Sequence, residues 1–372
     1  MKHIIGVKPS APAPEVKTVC VDENSADQRV DNFLIRHFKG VPKTHVYRMI
    51  RSGEVRVNKG RVAADTRLKE GDLVRLPPVR VSERVAEKAQ AMADGVAGFV
   101  PARDFAVLLE DEHMLIINKP AGVAVHGGSG VSFGVIEQLR MARPQARFLE
   151  LVHRLDRETS GILLVAKKRS ALKNLQDQFR ERQTGKTYLA MVRGQWPDKL
   201  KVLDKPLHKY ELDGKEAQGG ERRVKVVSRD DPNGMPSVTL VRVREHLPRG
   251  SLLEVTIKTG RTHQIRVHLA SEGFPILGDD KYGDFDLNKA LARAHASPGL
   301  KRMFLHAWRL QFNHPATGER LELLAELPPE LARFGGQRAD LRSSFLCDWH
   351  GADAGFGPCG TGCAQGAIPH VG

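Results

Sequence analysis

The chain has 372 residues, enough for two or three domains with cores of their own. Its 58 lysines and arginines against 44 acidic residues give a formal net charge of +14, which suits a polyanionic partner. There is no apolar run long enough to span a bilayer and no signal-peptide core in MKHIIGVKPSAPAP. The four cysteines, three of them beyond residue 340, make no disulfide framework, so the sequence reads as a reduced, cytoplasmic protein without membrane attachment.

Residues 1–15, with Pro9, Pro12 and Pro14 among small residues, are expected to be a disordered tail. Residues 16–80 read as a small α/β unit. Val19 and Val21 alternate as a short strand; Val30, Phe33, Leu34 and Phe38 recur at helical spacing, with Asp27 as N-cap and Gly40 as stop. A second helix follows Pro42, with Val46, Met49 and Ile50 on one face and Lys43, His45, Arg48 and Arg51 on the other. Val55 and Val57 mark a strand, Asn58 to Gly60 a turn, and Gly71 to Leu76 a last short strand. Cations along one helix can track successive phosphates, giving affinity without sequence choice, which makes Lys43, Arg48 and Arg51 candidate RNA contacts. The plain alternative is a solvated helix face.

Residues 81–103, rich in Ala, Glu, Lys and Gly, read as a linker to a second domain over 104–334. That domain opens with the apolar runs Ala106–Leu109 and Met114–Ile117, then the loop NKPAGVAVHGGSG. The loop lacks the GxxxxGK[ST] pattern of a phosphate cradle and is read as shaping a cleft. The stretch that organises the chain is LVHRLDRETSGILLVA, Leu151 to Ala166. Its second half is an unbroken apolar run suited to a strand buried on both faces; its first half is a dense polar loop of the kind that presents reactive groups. A guanidinium nearby favours a carboxylate's charged form, and Arg154 and Arg157 flank Asp156 in sequence. Such an aspartate can serve as nucleophile, base or electrostatic stabiliser; an ion-paired turn is the plain alternative.

Farther on, Ser170 can cap a helix with Leu172, Leu175 and Phe179 on its apolar face, and Lys186 to Val192 reads as a strand carrying Tyr188. Val224–Val227, Val238–Val243 and Leu252–Ile257 read as antiparallel strands, with Pro232-Asn233-Gly234 turning between the first two. In TGRTHQIRVH, Thr262 is a fair N-cap and Ile265 with Leu269 makes an apolar face, so His263 and Arg266 can project together on another. The apolar loop GFPILGDDKYGD follows. Phe304–Leu310 and Leu321–Leu324 complete the sheet around the turn at His314–Gly318. Cys347, His350, Cys359 and Cys363 are only loosely spaced like zinc ligands, and their Gly-rich surroundings make 335–372 a disordered tail without a metal site.

HRLDRETSG with GILLVAKK, KTY at 186–188, GRTHQIRVH and NKPAGVAVHGGSG together resemble the signatures of the pseudouridine synthases, in the branch that modifies large-subunit ribosomal RNA. GVPKTHVYRMIRSGEVRVNKGRV resembles the S4 RNA-binding domain, and the likeness runs from about Val16 to Leu327. It implies an α/β (α+β) protein: a small S4-like domain, then a catalytic domain on a mixed, mainly antiparallel sheet flanked by helices. It also implies that Asp156 is the nucleophile and that Tyr188 contacts the target base, its hydroxyl a candidate for proton transfer. By the same resemblance Arg266 pairs with the catalytic carboxylate, with Arg261 a second cation nearby; Arg154, beside the nucleophile, is placed to contact the backbone of a flipped-out nucleotide.

The implied reaction turns a uridine about its broken N1–C1′ bond and rejoins it through C5. No redox change or group donor is involved, so no cofactor is expected. Attack at C6, attack at C1′ and loss of a C2′ proton all remain open. The expected partner is 23S ribosomal RNA or a pre-ribosomal particle, met by a monomer. KGVPKTHVYRMIRSGEVRVN, VHGGSGVSFGVIEQLR and FLELVHRLDRETSG look most like the C type of this branch; the D type, with other target uridines, is the close rival.

A glycosidase could use Asp156 with Glu158, roughly 7 Å apart on a strand, but has no use for a basic RNA-binding unit. A DNA-binding protein would show a recognition helix with dimer signals, and the sequence has none. A non-catalytic ribosome-assembly factor would keep the S4-like unit and the charge, yet requires none of the HRLD, KTY and HQIR groups.

Overall fold

The computed structural model describes residues 16–23, 25–38, 41–79, 102–127, 133–211, 222–293 and 299–335. The tail 1–15, most of the 81–103 linker, Gly40, part of the glycine-rich loop around Ser129, and Cys347, His350, Cys359 and Cys363 lie outside the described residues. Among the described residues no helix is long and apolar enough to cross a membrane.

The N-terminal unit comprises β1 (Lys17–Cys20), α1 (Val30–His37), α2 (Lys43–Ser52), β2 (Arg56–Val57) and β3 (Leu73–Leu76), with the strands in antiparallel order β1-β3-β2. The apolar stripes read from sequence meet: Val30, Phe33 and Leu34 of α1 pack on Val46, Met49 and Ile50 of α2, and Val74 and Leu76 close the core. Each such side chain contributes about 1.5–3 kcal/mol by leaving water. Gly53, left-handed at φ 75°, ends α2 by donating its N–H to the carbonyls of Met49 and Ile50. The start of α1 differs from expectation. Its N-cap is Arg29, while Asp27 sits earlier with φ 58°; the first-turn carboxylate is Asp31, ion-paired with Arg29 at 2.6 Å.

The larger unit is built on a ten-stranded sheet. Its strands are β4 (Ala106–Glu110), β5 (Met114–Lys119), β6 (Glu150–Leu151), β7 (Ser160–Ala166), β8 (Gly185–Val192), β9 (Val202–Asp204), β12 (Val238–Leu247), β13 (Gly250–Ile257), β14 (Leu305–Asn313) and β15 (Arg320–Leu324). The order is β4-β5-β7-β14-β8-β13-β12-β9, with β6 beside β7 and β15 beside β14. Among the described residues β7–β14 is the parallel pairing and the rest are antiparallel, so the expected mixed, mainly antiparallel sheet is what forms. A separate two-stranded sheet joins β10 (Leu207–Glu211) to β11 (Arg222–Val226). Pro232–Gly234 does turn, Gly234 donating to Asp231 O at 2.9 Å, but β11 pairs with β10 and not with β12.

Every residue of β7 is buried, and the alternation of its side chains explains why. Leu163 and Val165 pack with Leu115 and Ile117 of β5 under α3 (Val135–Ala142), while Ile162, Leu164 and Ala166 face Leu172 and Leu175 of α4 (Arg169–Arg180). Ser170 lies within α4, whose N-cap is Lys168. Among the described residues three further helices follow: α5 (Gln264–Ser271), α6 (Phe285–Arg293) and α7 (Pro329–Phe334).

Gly161 is where β7 meets β14. Its φ is 113°, and a Cβ there would overlap the backbone of Ala307, including its carbonyl oxygen. Ala307 in turn lies opposite Tyr188 on β8. The row Gly161–Ala307–Tyr188 therefore spans two strand spacings, about 10 Å. Gly161→Ala is expected to destabilise the protein by about 3 kcal/mol or more, from backbone strain plus overlap. Gly318→Ala, at φ 75° with open space around it, should cost about 1 kcal/mol. Urea unfolding of the two variants measures the difference.

Candidate active site

The loop from Val152 to Thr159 connects β6 to β7 and is clamped at both ends. Val152 N–H donates to Leu164 O at 3.1 Å, and Leu164 N–H donates to His153 Nε2 at 3.1 Å. The His153 ring stacks on Phe179 with centroids 4.9 Å apart, and burial pushes its pKa down to about 4; it is a neutral anchor. At the far end Thr159 N–H donates to Asp156 O, closing the turn. Lys119 Nζ donates to the carbonyls of Pro120, Val123 and Arg157, tying the NKPAG segment beneath the loop. Burial pushes that ammonium down to about 7, while Glu158 and Asp156 act to raise it. Ser160 Oγ accepts from Arg302 at 2.7 Å and faces His306 Nδ1 at 2.9 Å.

Asp156 thus stands on a loop that other residues hold. Its cation is not a neighbour in sequence. Arg157 donates to Gly122 O and pairs with Glu158, Arg154 is exposed, and neither makes an ion pair with Asp156 among the described residues. Arg266 reaches it instead, Nη1 lying 3.3 Å from Oδ2. Arg266 is 5 % exposed and projects from α5. Gln264 fixes the start of that helix, its Oε1 accepting from Thr259 Oγ1 and Arg261 N–H while its Nε2 donates to Val238 O. The N-cap is His263 rather than Thr262, and it is left-handed, with φ 52°.

Asp279 holds the rest of the Arg266 fork. Arg266 Nε donates to its Oδ2 at 2.8 Å and Nη2 to its Oδ1 at 2.7 Å. Oδ1 also accepts the backbone N–H groups of Lys281 and Tyr282. Burial would raise Asp279, but the bonds and charge of Arg266 carry it below the usual carboxylate range; burial likewise opposes the charge of Arg266, yet Asp279 and Asp156 together raise it. The Tyr282 ring lies under the guanidinium, 5.2 Å from centroid to Cζ.

Two cavities meet here. A larger one, about 550 Å³, is lined by Arg154, Asp156, His126, Arg223, His263 and Arg266 among others. A smaller one, about 110 Å³, shares Asp156, Arg154, His263 and Arg266 and adds Tyr188 and Arg261 against Ile257, Ile265 and Leu305. Burial, and then the charge of Asp156, push Tyr188 well above the usual phenol range, so the hydroxyl keeps its proton. The sequence candidates Asp156, Tyr188, Arg266, Arg154 and Arg261 therefore come together in one cleft. Lys43, Arg48 and Arg51 are exposed on α2, in the other unit.

Known proteins resemble this chain in sequence and fold. The profile of the RNA pseudouridylate synthase family matches residues 113–271, and that of the S4 domain matches residues 28–74. A protein of Pasteurella multocida (strain Pm70) named ribosomal large subunit pseudouridine synthase C is 50 % identical over 329 residues, which is 88 % of this chain and 96 % of that protein. The protein of the same name in Escherichia coli (strain K12) is 50 % identical over 320 residues, 86 % of this chain and 96 % of that one. The chain belongs to the RNA pseudouridylate synthase family. Among solved structures, human RNA pseudouridylate synthase domain containing 4 superposes with a TM-score of 0.50 at 28 % identity, covering 62 % of this chain and 93 % of that chain.

As a pseudouridylate synthase the chain has two residues behind the cleft, holding Arg266, that its sequence motifs left unremarked, Asp279 and Tyr282. The signal was there in GDDKYGD, acids and a tyrosine directly after the apolar FPIL, where a carboxylate is carried into the interior. Breaking a buried pair by removing one charge is strongly destabilising. Asp279→Asn is expected to cost about 3–5 kcal/mol and to lower the single-turnover rate about 10²-fold. Asp280→Asn should change neither much, since that side chain is 80 % exposed and lies 3.6 Å from Arg266. Denaturant midpoints and single-turnover kinetics on both variants provide the check.

Proposed function

We propose that this chain isomerises uridines of large-subunit (23S) ribosomal RNA to pseudouridine, with Asp156 as the reacting carboxylate. The observation that carries the reading is Asp156 itself: one oxygen is held by a buried guanidinium while the group lines both cavities. The larger of them, at about 550 Å³, is in the range of small-molecule sites, roughly 300–1,000 Å³. A base inside a duplex could not enter, so the target is looped or flipped out at a cost of a few kcal/mol. Arg154 and Arg261, at the edges of the smaller cavity, are the groups for the flipped nucleotide's backbone. Arg266 keeps Asp156 aimed, and the Tyr188 phenol, beside the base, is the proton carrier for C5. The relatives named for large-subunit ribosomal RNA support the substrate, and the +14 charge supports a long RNA contact. In this reading 16–80 grips RNA, 104–334 does the chemistry, and the enzyme works as a cytoplasmic monomer.

Asp156→Asn preserves shape and removes charge. Turnover is expected to fall on the order of 10⁴-fold or more while RNA binding survives. Tritium release from C5-labelled uridine in a large-subunit rRNA transcript measures it; a variant with a tenth of the activity would remove Asp156 from the chemistry.

Lys43, Arg48 and Arg51 are proposed to hold phosphates. Each contact released should reduce the slope of log K against log salt by nearly one unit. The triple alanine variant is expected to flatten that slope by roughly two to three units and raise KM, with kcat at saturating RNA little changed. Titrations at several salt concentrations, with circular dichroism as the folding control, test this. An unchanged slope would move RNA docking to the catalytic unit.

A further inference from the structure

His263 faces the same carboxylate oxygen as Arg266 does. Its Nε2 lies 3.9 Å from Asp156 Oδ2, on the side of the cleft where the two cavities join. The residue is left-handed, a strained backbone state for a non-glycine residue and one that clusters at functional sites. The proton on its ring can be placed from its neighbours. Tyr282 Oη accepts the Val224 backbone N–H at 3.0 Å and lies 2.8 Å from His263 Nδ1. An amide N–H cannot accept, so among the described residues Nδ1 is the acceptor available to the Tyr282 hydroxyl proton. Tyr282 keeps that proton, since burial pushes its phenol up to about 12. His263 is held neutral, lowered by burial first and by Arg266 and Lys281, against the opposing pull of Asp156 and Asp279. A neutral imidazole that accepts at Nδ1 carries its proton at Nε2, the nitrogen that faces Asp156.

We propose that His263, fixed in this tautomer by Tyr282, is a second donor to Asp156 Oδ2, and that His263 and Arg266 together hold this oxygen so that Oδ1 is the one that reacts. Among the described residues the hydrogen bonds to the carboxylate fall on Oδ2, from Arg266. At 3.9 Å the histidine contact is longer than a hydrogen bond, and in this proposal it shortens once a nucleotide is bound. Tyr282 is then a positioning residue acting through His263. Its hydroxyl also takes the β11 amide, so the β10–β11 hairpin is linked to the orientation of the reactive carboxylate.

The inference rests on the proposed role of Asp156, and the test separates the two. His263→Asn tolerates the left-handed backbone but is too short to reach Asp156, and is expected to lower kcat about 10²-fold with KM little changed. His263→Gln restores an N–H at the reach of Nε2 and should recover kcat to within about fivefold of wild type. Tyr282→Phe keeps the ring under Arg266, removes only the hydroxyl, and should lower kcat about fivefold at unchanged KM. Nitrogen NMR of the protein labelled with 15N-histidine should show a neutral His263 with the proton on Nε2 at pH 7.5, lost as a single tautomer in Tyr282→Phe. A proton on Nδ1, an imidazolium, or full activity in folded His263→Asn would overturn the inference and leave Asp156 untouched. Full activity in Asp156→Asn would instead remove the reading on which it rests.

Discussion

Arg266 divides its fork between two carboxylates, Nε and Nη2 on Asp279 and Nη1 on Asp156. The division is unequal. The Asp279 contacts are bidentate and buried, in the geometry that makes arginine–carboxylate pairs strong, and the backbone N–H groups of Lys281 and Tyr282 fix Asp279 in its turn. The guanidinium therefore takes its position from that turn and imposes it on Asp156, which is only partly buried and sits on a loop. A lysine could not do this, having one point charge where two separated acceptors must be bridged. Left without Asp279, Arg266 would be a buried charge with a single partial partner, a state worse than having no pair at all.

The sheet brings the other half of the cleft to that pair. β7 ends the loop of Asp156, and β14 runs parallel to it at only two matched positions before pairing antiparallel with β8. The contact is close because Gly161 has no Cβ to hold Ala307 away. Tyr188 thus arrives two strands from the start of β7, and α5, packed by Ile265 and Leu269 on the core of β8 and β13, supplies Arg266 from the far side. The buried chain of Arg302, Ser160 and His306 ties the first residue of β7 to β14 and so protects the row.

What the sequence made legible follows from which contacts are local. The buried run of β7, the two helices of the S4-like unit and the strand of Tyr188 were readable because alternation and helical spacing are local signals. Asp156 was readable as a carboxylate on a polar loop, but its neighbours Arg154 and Arg157 pointed to the wrong cation; Arg266 was reached through the resemblance of its motif, because it arrives only through tertiary packing. The β11 error has the same origin. A turn at Pro232–Gly234 is local, whereas the choice of β10 as partner depends on the apolar contact of Leu207 and Val224 with Val267 of α5. The caps at Asp27, Thr262 and Ser170 were missed because each helix starts where packing places its first turn. In none of the three does a side chain make the cap bond.

The charge on Asp156 also orders the proposed chemistry. Two causes raise the Tyr188 phenol, burial and then that carboxylate, and only the second can change during a turnover. While Asp156 is charged, Tyr188 is a donor and a poor base. Once Asp156 has bonded to the nucleotide or taken a proton, its charge is gone and the phenol becomes more acidic in the same place. The proton on C5 has to leave late, after the uracil has rejoined the sugar. A phenol that keeps its proton while Asp156 is charged, and becomes more acidic once that charge is gone, is suited to that order: it can then pass its own proton to water as it takes the one from C5. Arg266 stays charged throughout, since Asp279 continues to hold it, so the change at Asp156 falls on Tyr188 and not on the cation between the two carboxylates.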